Sequence, residues 1–258
     1  MDLVIDVGNS ETVLGLVRPE GLELATHWRV STTVPRTVDE YELLLRSLLA
    51  GRGYGPDDVG LAVVGSVVPA ATGIITDTLA RLADDPPIVV TARSPLPIEL
   101  DVDEPLTVGA DRIVNTLAAK EMYGRDTIAV DLGTATTFDC ITADGVFVGG
   151  VISQGLQAGL EWLGRKTAKL PDVELSPPER VIGRRTEECI RSGVFYSAVD
   201  AVDGIVRRIQ REWARPDVYV VATGGYATVI GPHAATVHHI EPFLTLYGLA
   251  LAGRSIRG

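Results

Sequence analysis

The sequence contains few cysteines and no hydrophobic run of membrane-spanning length. Cys140 and Cys189 are the two cysteines among 258 residues, and neither belongs to a CxxC pair or has histidines beside it. We therefore expect no disulfide framework and no zinc site. The longest mostly apolar stretch, residues 59–75, is interrupted by glycines and a proline, whereas a membrane helix needs about 20 continuous apolar residues. Acidic residues within Met1–Asp6, where a secretory signal carries basic ones, predict a cytoplasmic protein.

Basic residues are also scarce relative to acidic ones. The chain has 23 Lys and Arg against 34 Asp and Glu, which gives a formal charge of −11. Such a balance argues against a broad basic face, so we expect no nucleic-acid partner and no membrane partner. It does not exclude a nucleotide ligand, because a phosphate pocket needs only local backbone N–H groups and one cation.

Apolar segments and turn signals follow one another in a way that predicts alternating strands and helices. Leu3–Ile5 and Thr12–Val17 are typical of strands, and Gly8–Ser10 between them are turn residues. Thr37 and Glu40 match a capping box, so a helix is expected to follow them. Because this alternation continues along the chain, the sequence predicts an α/β fold.

A weak internal repeat divides the chain into two halves. Leu3–Ser10 and Ile128–Ala135 are both apolar strands that end in Asp-x-Gly and a small polar residue, and each leads into a second apolar strand. We interpret the repeat as a duplication in which each half begins with a β-meander. The sequence therefore predicts an N-terminal domain over residues 1–112 and a C-terminal domain over residues 113–258, each with a mixed sheet flanked by helices.

The two Asp-x-Gly turns indicate a site for an anionic ligand. Glycine lets backbone N–H groups approach phosphate oxygens, and Asp6 or Asp131 can hold a cation or a water beside them. Two such turns, one per domain, would clamp the phosphates of ATP, and Thr223–Gly225 adds a third glycine-rich turn. A P-loop is not expected, because the stretch Gly159–Thr167 has one residue too many and no strand before it.

The segment Gly109–Arg112, just before an apolar helical pattern, has two interpretations. In the first, Asp111 complements the helix dipole and Arg112 forms a surface ion pair. In the second, Asp111 accepts a proton from a substrate hydroxyl and Arg112 holds an anionic substrate group. The residues alone leave both interpretations open.

Several motifs together resemble those of the type III pantothenate kinases. The four main motifs are Asp6–Ser10, Gly109–Arg112, Asp131–Thr137 and Thr223–Gly225. They stand in the order and spacing of that family, and Ala168–Pro171 and Thr186, at the start of a long helix, also fit. The likeness runs over essentially the whole chain.

The resemblance implies a fold and an activity. The fold is actin-like, of the acetate-and-sugar-kinase type with two ribonuclease H-like halves. The activity is ATP-dependent phosphorylation of pantothenate to 4'-phosphopantothenate, the first step toward coenzyme A. The resemblance further implies ATP bound with Mg²⁺, a monovalent cation (K⁺ or NH₄⁺) and a homodimer.

The resemblance also implies roles for individual residues. Asp111 corresponds to the general base, and Asp131 to the residue associated with the monovalent cation. The positions that correspond to the pantothenate site are Gly109, Ala110, Asp111, Arg112 and Thr186. The positions that correspond to the ATP site are Asp6, Val7, Gly8, Asn9, Ser10, Glu11, Thr12, Val13 and Thr134.

Two positions depart from the family pattern. Val102 stands where the family commonly has a tyrosine, and Gln154 stands where it usually has a proline. These departures leave two alternatives: a catalytically degenerate relative that acts as a ligand-binding regulatory protein, and an actin-fold kinase for another hydroxyl substrate.

Overall fold

The structure, a computed structural model, describes residues 1–83, 85–160 and 173–258. The strands are β1 (Asp2–Val7), β2 (Glu11–Val17), β3 (Leu24–Ser31), β4 (Leu61–Ser66), β5 (Ile88–Val90), β6 (Glu99–Leu100), β7 (Thr127–Leu132), β8 (Ala135–Ile141), β9 (Val146–Gln154), β10 (Tyr219–Thr223) and β11 (His239–Ile240). The helices are α1 (Val38–Ala50), α2 (Pro69–Leu82), α3 (Ala110–Tyr123), α4 (Thr186–Glu212), α5 (Ala227–Ile230) and α6 (Leu244–Arg257). Across these described ranges, none of the helices combines the length and the apolar character needed to cross a bilayer.

Two sequence motifs fall outside the described residues in whole or in part. Apolar residues at positions 156, 160 and 163 predict a helix from Leu156 to Lys169; residues 156–160 are helical, and the rest of that range is not among the described residues. Ala168–Pro171 and most of the P-loop-like stretch Gly159–Thr167 lie outside them as well.

The contacts divide the chain into two compact units. The first unit comprises Met1–Met122 and Leu244–Gly258, and the second comprises Tyr123–Phe243. This division differs from the boundary between residues 112 and 113 that the repeat suggests. The difference arises because α3 packs almost entirely with the first unit and because α6, at the end of the chain, returns to it.

The first unit is built on a mixed sheet with strand order β3-β2-β1-β4-β5. β1 pairs antiparallel with β2 and parallel with β4, and β5 pairs parallel with β4. The predicted capping box forms at the start of α1, where the Thr37 hydroxyl accepts from the Glu40 backbone N–H. The buried faces of α1 and α2 share one apolar core with the sheet; it includes Leu3, Ile5, Leu45, Leu49, Ile75 and Leu79.

The second unit repeats the strand pattern of the first. Its strands follow the order β9-β8-β7-β10-β11, with β7 antiparallel to β8 and parallel to β10. β1 and β7 share the same burial pattern: five of their six residues are buried, and the fifth, Asp6 in β1 and Asp131 in β7, is half-buried. Phe195, Val199 and Val202 of α4 pack in the core of this unit with Ile128 and Val130 of β7. The duplication and the α/β fold class are therefore confirmed.

The C-terminal helix α6 covers the face of the first sheet that α1 and α2 leave open. A Cβ on Gly253 would overlap the Val63 side chain, and one on Gly248 would overlap the Val114 carbonyl oxygen of α3. Arg254 Nε donates to Asp2 Oδ2 over 2.8 Å, and the Asp2 side chain is buried. Glycine at the helix surface and this ion pair together fix α6 closely on the sheet.

Asp203 of α4 anchors the loop that precedes β11, and this suggests a stability test. Its oxygens accept hydrogen bonds from Thr236 N (2.9 Å), Thr236 Oγ1 (2.8 Å) and Ala235 N (3.2 Å). Burial opposes ionisation, but these bonds and nearby Arg207 lower the pKa of Asp203 below its ordinary value. We expect Asp203→Ala to reduce the free energy of unfolding at pH 7 by about 2 kcal/mol in a urea titration.

The pH dependence of the stability loss in Asp203→Ala shows whether the ionised carboxylate or only the packing of the side chain stabilises the fold. Because the pKa of Asp203 is lowered in the folded state, its charge-dependent contribution is complete above the ordinary value of 3.8 and is lost as the pH falls through the lowered pKa. The control is Asp200→Ala on the exposed face of the same helix. An equal loss in both variants would contradict this role for Asp203.

Candidate active site

The predicted phosphate loop, Asp6–Val13, closes the hairpin between β1 and β2. The Gly8 backbone N–H donates to the Glu11 carbonyl oxygen at 3.0 Å, and a Cβ on Gly8 would lie 3.0 Å from that same oxygen. Asn9, Ser10 and Glu11 at the tip are exposed. The loop therefore presents a tight, accessible stretch of backbone, which is the kind of surface that receives phosphate oxygens.

The first turn of α3 lies against the carboxyl ends of β1 and β4. Asp6 pairs with Gly65 in the parallel register of these strands, and a Cβ on Gly65 would lie 3.6 Å from the Ala110 Cβ. This is an ordinary contact distance, so the start of α3 lies directly at this strand end, whereas the lack of a side chain at Gly65 makes room for Leu249 of α6, whose Cδ2 would be 2.9 Å from the added Cβ. Asp111 follows Ala110, so the structure brings the predicted base to the strand end that carries Asp6, and both carboxylates are half-buried.

The electrostatics of Asp6 reflect this crowding. Surrounding protein removes most of the hydration of the carboxyl group, and the neighbouring Asp111 carboxylate adds like-charge repulsion; together they raise the pKa of Asp6 from 3.8 to about 7. Arg29 acts in the opposite direction. A carboxyl group poised near neutral pH is typical of functional sites.

Asp111 is oriented by the start of its own helix. The Arg112 backbone N–H donates to Asp111 Oδ1 at 2.8 Å, which uses one of the N–H groups that a helix start leaves without a partner. Among the described residues Asp111 Oδ2 accepts no hydrogen bond, so it can accept one from a substrate hydroxyl. The helix-start role and the base role are therefore compatible in one side chain.

Gly109 positions the Asp111 carboxylate, and this can be tested. A Cβ on Gly109 would overlap Asp111 Oδ1, and a carboxylate oxygen is mobile enough to move away. We expect Gly109→Ala to remain folded while kcat falls about 10- to 100-fold, because the carboxylate of the predicted base, Asp111, is displaced. Steady-state assays with thermal unfolding curves measure both properties. The control is Gly73→Ala, where an added Cβ meets nothing within 4 Å; equal kcat in the two variants would contradict the expectation.

In the second unit, Asp131 lies at the end of β7 against a glycine turn. Thr223 is its partner in the β7–β10 register, and a Cβ on Gly224 would overlap Asp131 Oδ1. Gly224 also has φ +88°, a left-handed conformation that favours glycine. The glycine-rich turn thus packs directly on the Asp131 carboxylate, and the buried Thr223 Oγ1 in the neighbouring strand has no hydrogen-bond partner among the residues that the structure describes.

The remaining predicted site residues of the second unit occupy other positions. Thr134 is exposed in the β7–β8 turn, and Thr186 is exposed as the first residue of α4. Gln154, at the end of β9, lines a cavity of about 370 Å³ together with Cys189 of α4. The roles of Thr134, Thr186 and Asp131 in the site stay predictions.

Sequence reasoning did not identify Gly65, Thr223 or Gly109 by their structural roles. In the sequence, Gly65 is only a glycine near a strand end, and Gly109 is a motif residue assigned to the pantothenate site; neither position reveals which atom would collide with an added Cβ. In the sequence, Thr223 is part of a glycine-rich turn. That its hydroxyl is buried next to β7 without a partner among the described residues becomes evident only in the structure.

Comparison with known proteins agrees with the motifs. A family model described as "Type III pantothenate kinase" matches residues 2–208. A protein named type III pantothenate kinase from Moorella thermoacetica is 41% identical over 97% of this chain and 98% of its own length. Another of that name, from Syntrophotalea carbinolica, is 44% identical over 97% of each chain.

Solved structures support the fold at low sequence identity. The chain aligns with the (R)-2-hydroxyglutaryl-CoA dehydratase component A of Acidaminococcus fermentans with a TM-score of 0.55, at 13% identity over 99% of this chain and 96% of that one. It aligns with a ROK hexokinase from Thermus thermophilus with a TM-score of 0.52, at 11% identity over 98% and 97%. The duplicated sheets thus form the actin-like fold shared with sugar kinases, and the chain belongs to the type III pantothenate kinases.

Proposed function

We propose that this chain transfers the γ-phosphoryl group of ATP to the terminal hydroxyl of pantothenate, which yields 4'-phosphopantothenate for coenzyme A synthesis, with Asp111 as the base. The observation that supports these roles most directly is the pair of half-buried carboxylates, Asp6 at the end of β1 and Asp111 in the first turn of α3. Asp6 is the first residue of the phosphate loop, and Asp111 has an oxygen available for the acceptor hydroxyl.

The acceptor half of the reaction follows from the geometry of Asp111. Its Oδ1 is held by the Arg112 N–H, so Oδ2 accepts the hydrogen bond of the pantothenate hydroxyl and takes the proton. The hydroxyl oxygen bonds to the γ-phosphorus while the bond from that phosphorus to the bridging oxygen breaks, and ADP leaves. Such a transfer depends mainly on positioning and charge neutralisation. Gly109, Ala110, Arg112 and Thr186 complete the proposed pantothenate site.

The nucleotide half uses the loop Asp6–Val13 and Thr134. Backbone N–H groups at the β1–β2 turn would receive phosphate oxygens. Across the described ranges no group of three or more Asp, Glu, His or Cys side chains is placed to hold a metal. We therefore propose that Mg²⁺ enters on the ATP phosphates, as is usual for this ion, and that its charge favours the ionised form of Asp6.

The surroundings of Asp131 fit a monovalent cation. Hard cations prefer oxygen ligands. The buried Thr223 Oγ1 on the strand beside Asp131, which within the described part of the chain has no hydrogen-bond partner, supplies a second such oxygen. We propose that Asp131 holds K⁺ or NH₄⁺, which when bound would offset phosphate charge. Equilibrium binding of Tl⁺, a K⁺ analogue, should weaken in Asp131→Asn.

We also propose a cytoplasmic homodimer. Ile152, Val181 and Ile182 in the second unit each expose more than 60% of their surface, and large exposed apolar side chains favour association. The cytoplasmic location rests on the supply of ATP that the proposed reaction needs. Sedimentation equilibrium of the purified protein measures the oligomeric state.

A coupled ADP-release assay tests the proposed function. With pantothenate, Mg²⁺-ATP and K⁺ we expect pantothenate-dependent ADP release, which falls when Na⁺ replaces K⁺. Binding of ATP and pantothenate without turnover would favour the ligand-binding alternative that Val102 and Gln154 raise. Turnover with another alcohol but not with pantothenate would favour the kinase for a different substrate.

A further inference from the structure

Arg29 of β3 faces the proposed phosphate loop, and neither the motifs nor the resemblance gives it a role. It lies opposite Val13 of β2, which in turn lies opposite Asp6 of β1. Side chains directly opposed on neighbouring antiparallel strands point to the same face of a sheet. Arg29, Val13 and Asp6 therefore form a row on one face, with a cation at one end and a carboxyl group at the other.

Glu11 holds the Arg29 guanidinium beside the hairpin through an exposed ion pair. Arg29 Nη1 donates to Glu11 Oε2 at 2.9 Å, and 37% of the Arg29 side chain and 55% of the Glu11 side chain remain exposed. Among the described residues the other Arg29 donors make no hydrogen bond. A pair this exposed contributes little to stability, so Glu11 can be exchanged for another anion at small cost.

The charge of Arg29 acts on the catalytic end of the loop. It lowers the pKa of Asp6, against the effects of burial and of Asp111. Nucleotide phosphates placed on this loop would add negative charge beside two carboxylates, in a chain whose formal charge is already −11. A guanidinium with unused donors is suited to phosphate oxygens, which it binds with short, charge-assisted hydrogen bonds.

We propose that Arg29 binds the terminal phosphates of ATP and exchanges Glu11 for phosphate oxygens when the nucleotide enters. This rests on the proposed function, which places the triphosphate on the loop Asp6–Val13. The terminal phosphates are the relevant ones because the reacting phosphorus must lie near Asp111, which neighbours Asp6 at the end of the Arg29 row.

The test is a calorimetric titration of AMP, ADP and the non-hydrolysable analogue AMP-PNP, each with Mg²⁺. We expect Arg29→Gln to weaken AMP-PNP binding about 10- to 100-fold, ADP binding less, and AMP binding hardly at all, while Arg29→Lys retains part of the affinity. The matched control is Arg18→Gln, because Arg18 forms a similarly exposed pair with Glu23 at the opposite end of β2. That variant should bind all three nucleotides like the unmodified chain.

A second variant separates phosphate binding from a structural ion pair. Glu11→Gln releases Arg29 and removes a negative charge, so AMP-PNP should bind about 2- to 5-fold more tightly. If Glu11→Gln and Arg29→Gln weaken binding alike, or if Arg29→Gln weakens AMP as much as AMP-PNP, the inference is overturned. Unchanged AMP-PNP binding in Arg29→Gln overturns this inference alone, whereas no nucleotide binding by the unmodified chain overturns the proposed function as well.

Discussion

Replacing Asp111 by Asn should lower kcat for pantothenate phosphorylation by about 10²- to 10⁴-fold, the usual range for loss of a general base. An amide keeps the size of the carboxylate, and its oxygen can still accept from the Arg112 N–H that now holds Oδ1. It cannot take a proton from the acceptor hydroxyl. The fold and the nucleotide affinity should therefore persist while turnover is lost.

Single-turnover kinetics with Mg²⁺-ATP and pantothenate, together with calorimetric titration of ADP, measure the two effects separately. A matched control is Asp77→Asn, which removes an exposed carboxylate on α2 of the same unit and should leave kcat unchanged. Full activity in Asp111→Asn would remove the base assignment. A loss of ADP binding as large as the loss of kcat would make Asp111 a nucleotide ligand instead.

Replacing Asp6 by Asn should make the chain more stable at alkaline pH while it impairs the site. The pKa of Asp6 is about 7 in the folded chain, against 3.8 ordinarily. Below about pH 3 the group is mostly protonated whether folded or unfolded, and almost no penalty arises. As the pH rises toward 7, the unfolded chain ionises Asp6 first, so folding becomes less favourable.

Above the folded pKa the full penalty is present. A change of pKa from 3.8 to about 7 corresponds to roughly 4 kcal/mol, and residual hydration of the half-buried side chain reduces it. We expect Asp6→Asn to raise the free energy of unfolding by about 3 kcal/mol at pH 8 and by less than about 1 kcal/mol at pH 4.5. Denaturant titrations at the two pH values measure this, and an equal gain at both would show that the charge of Asp6 is not responsible.

The local structure around the site followed closely from the sequence. The strands β1 and β7 could be predicted because each is an apolar run that stops at Asp-x-Gly. The α1 start could be predicted because Thr37 and Glu40 satisfy backbone groups within one turn. Such signals depend on residues that are close in sequence, so they can be recognised without knowledge of the rest of the fold.

The positions of elements relative to residues distant in sequence could not be predicted in the same way. The boundary that the repeat suggests places α6 in the second domain, whereas the contacts group it with the first unit; a helical sequence alone does not say which sheet its buried face covers. Arg29 is a similar case. In the sequence it is one charge among many on a strand, and only the register across β2 and β1 brings it into line with Asp6.

The return of α6 to the first unit has a consequence for the order in which a newly made chain completes its fold. Residues 123–243, which form the second unit, leave the ribosome before α6 does. The first sheet therefore keeps one apolar face uncovered until α6 has been synthesised. Until then the Asp2 carboxylate also lacks its ion pair with Arg254. The first unit therefore completes its core only after the whole second unit has been synthesised.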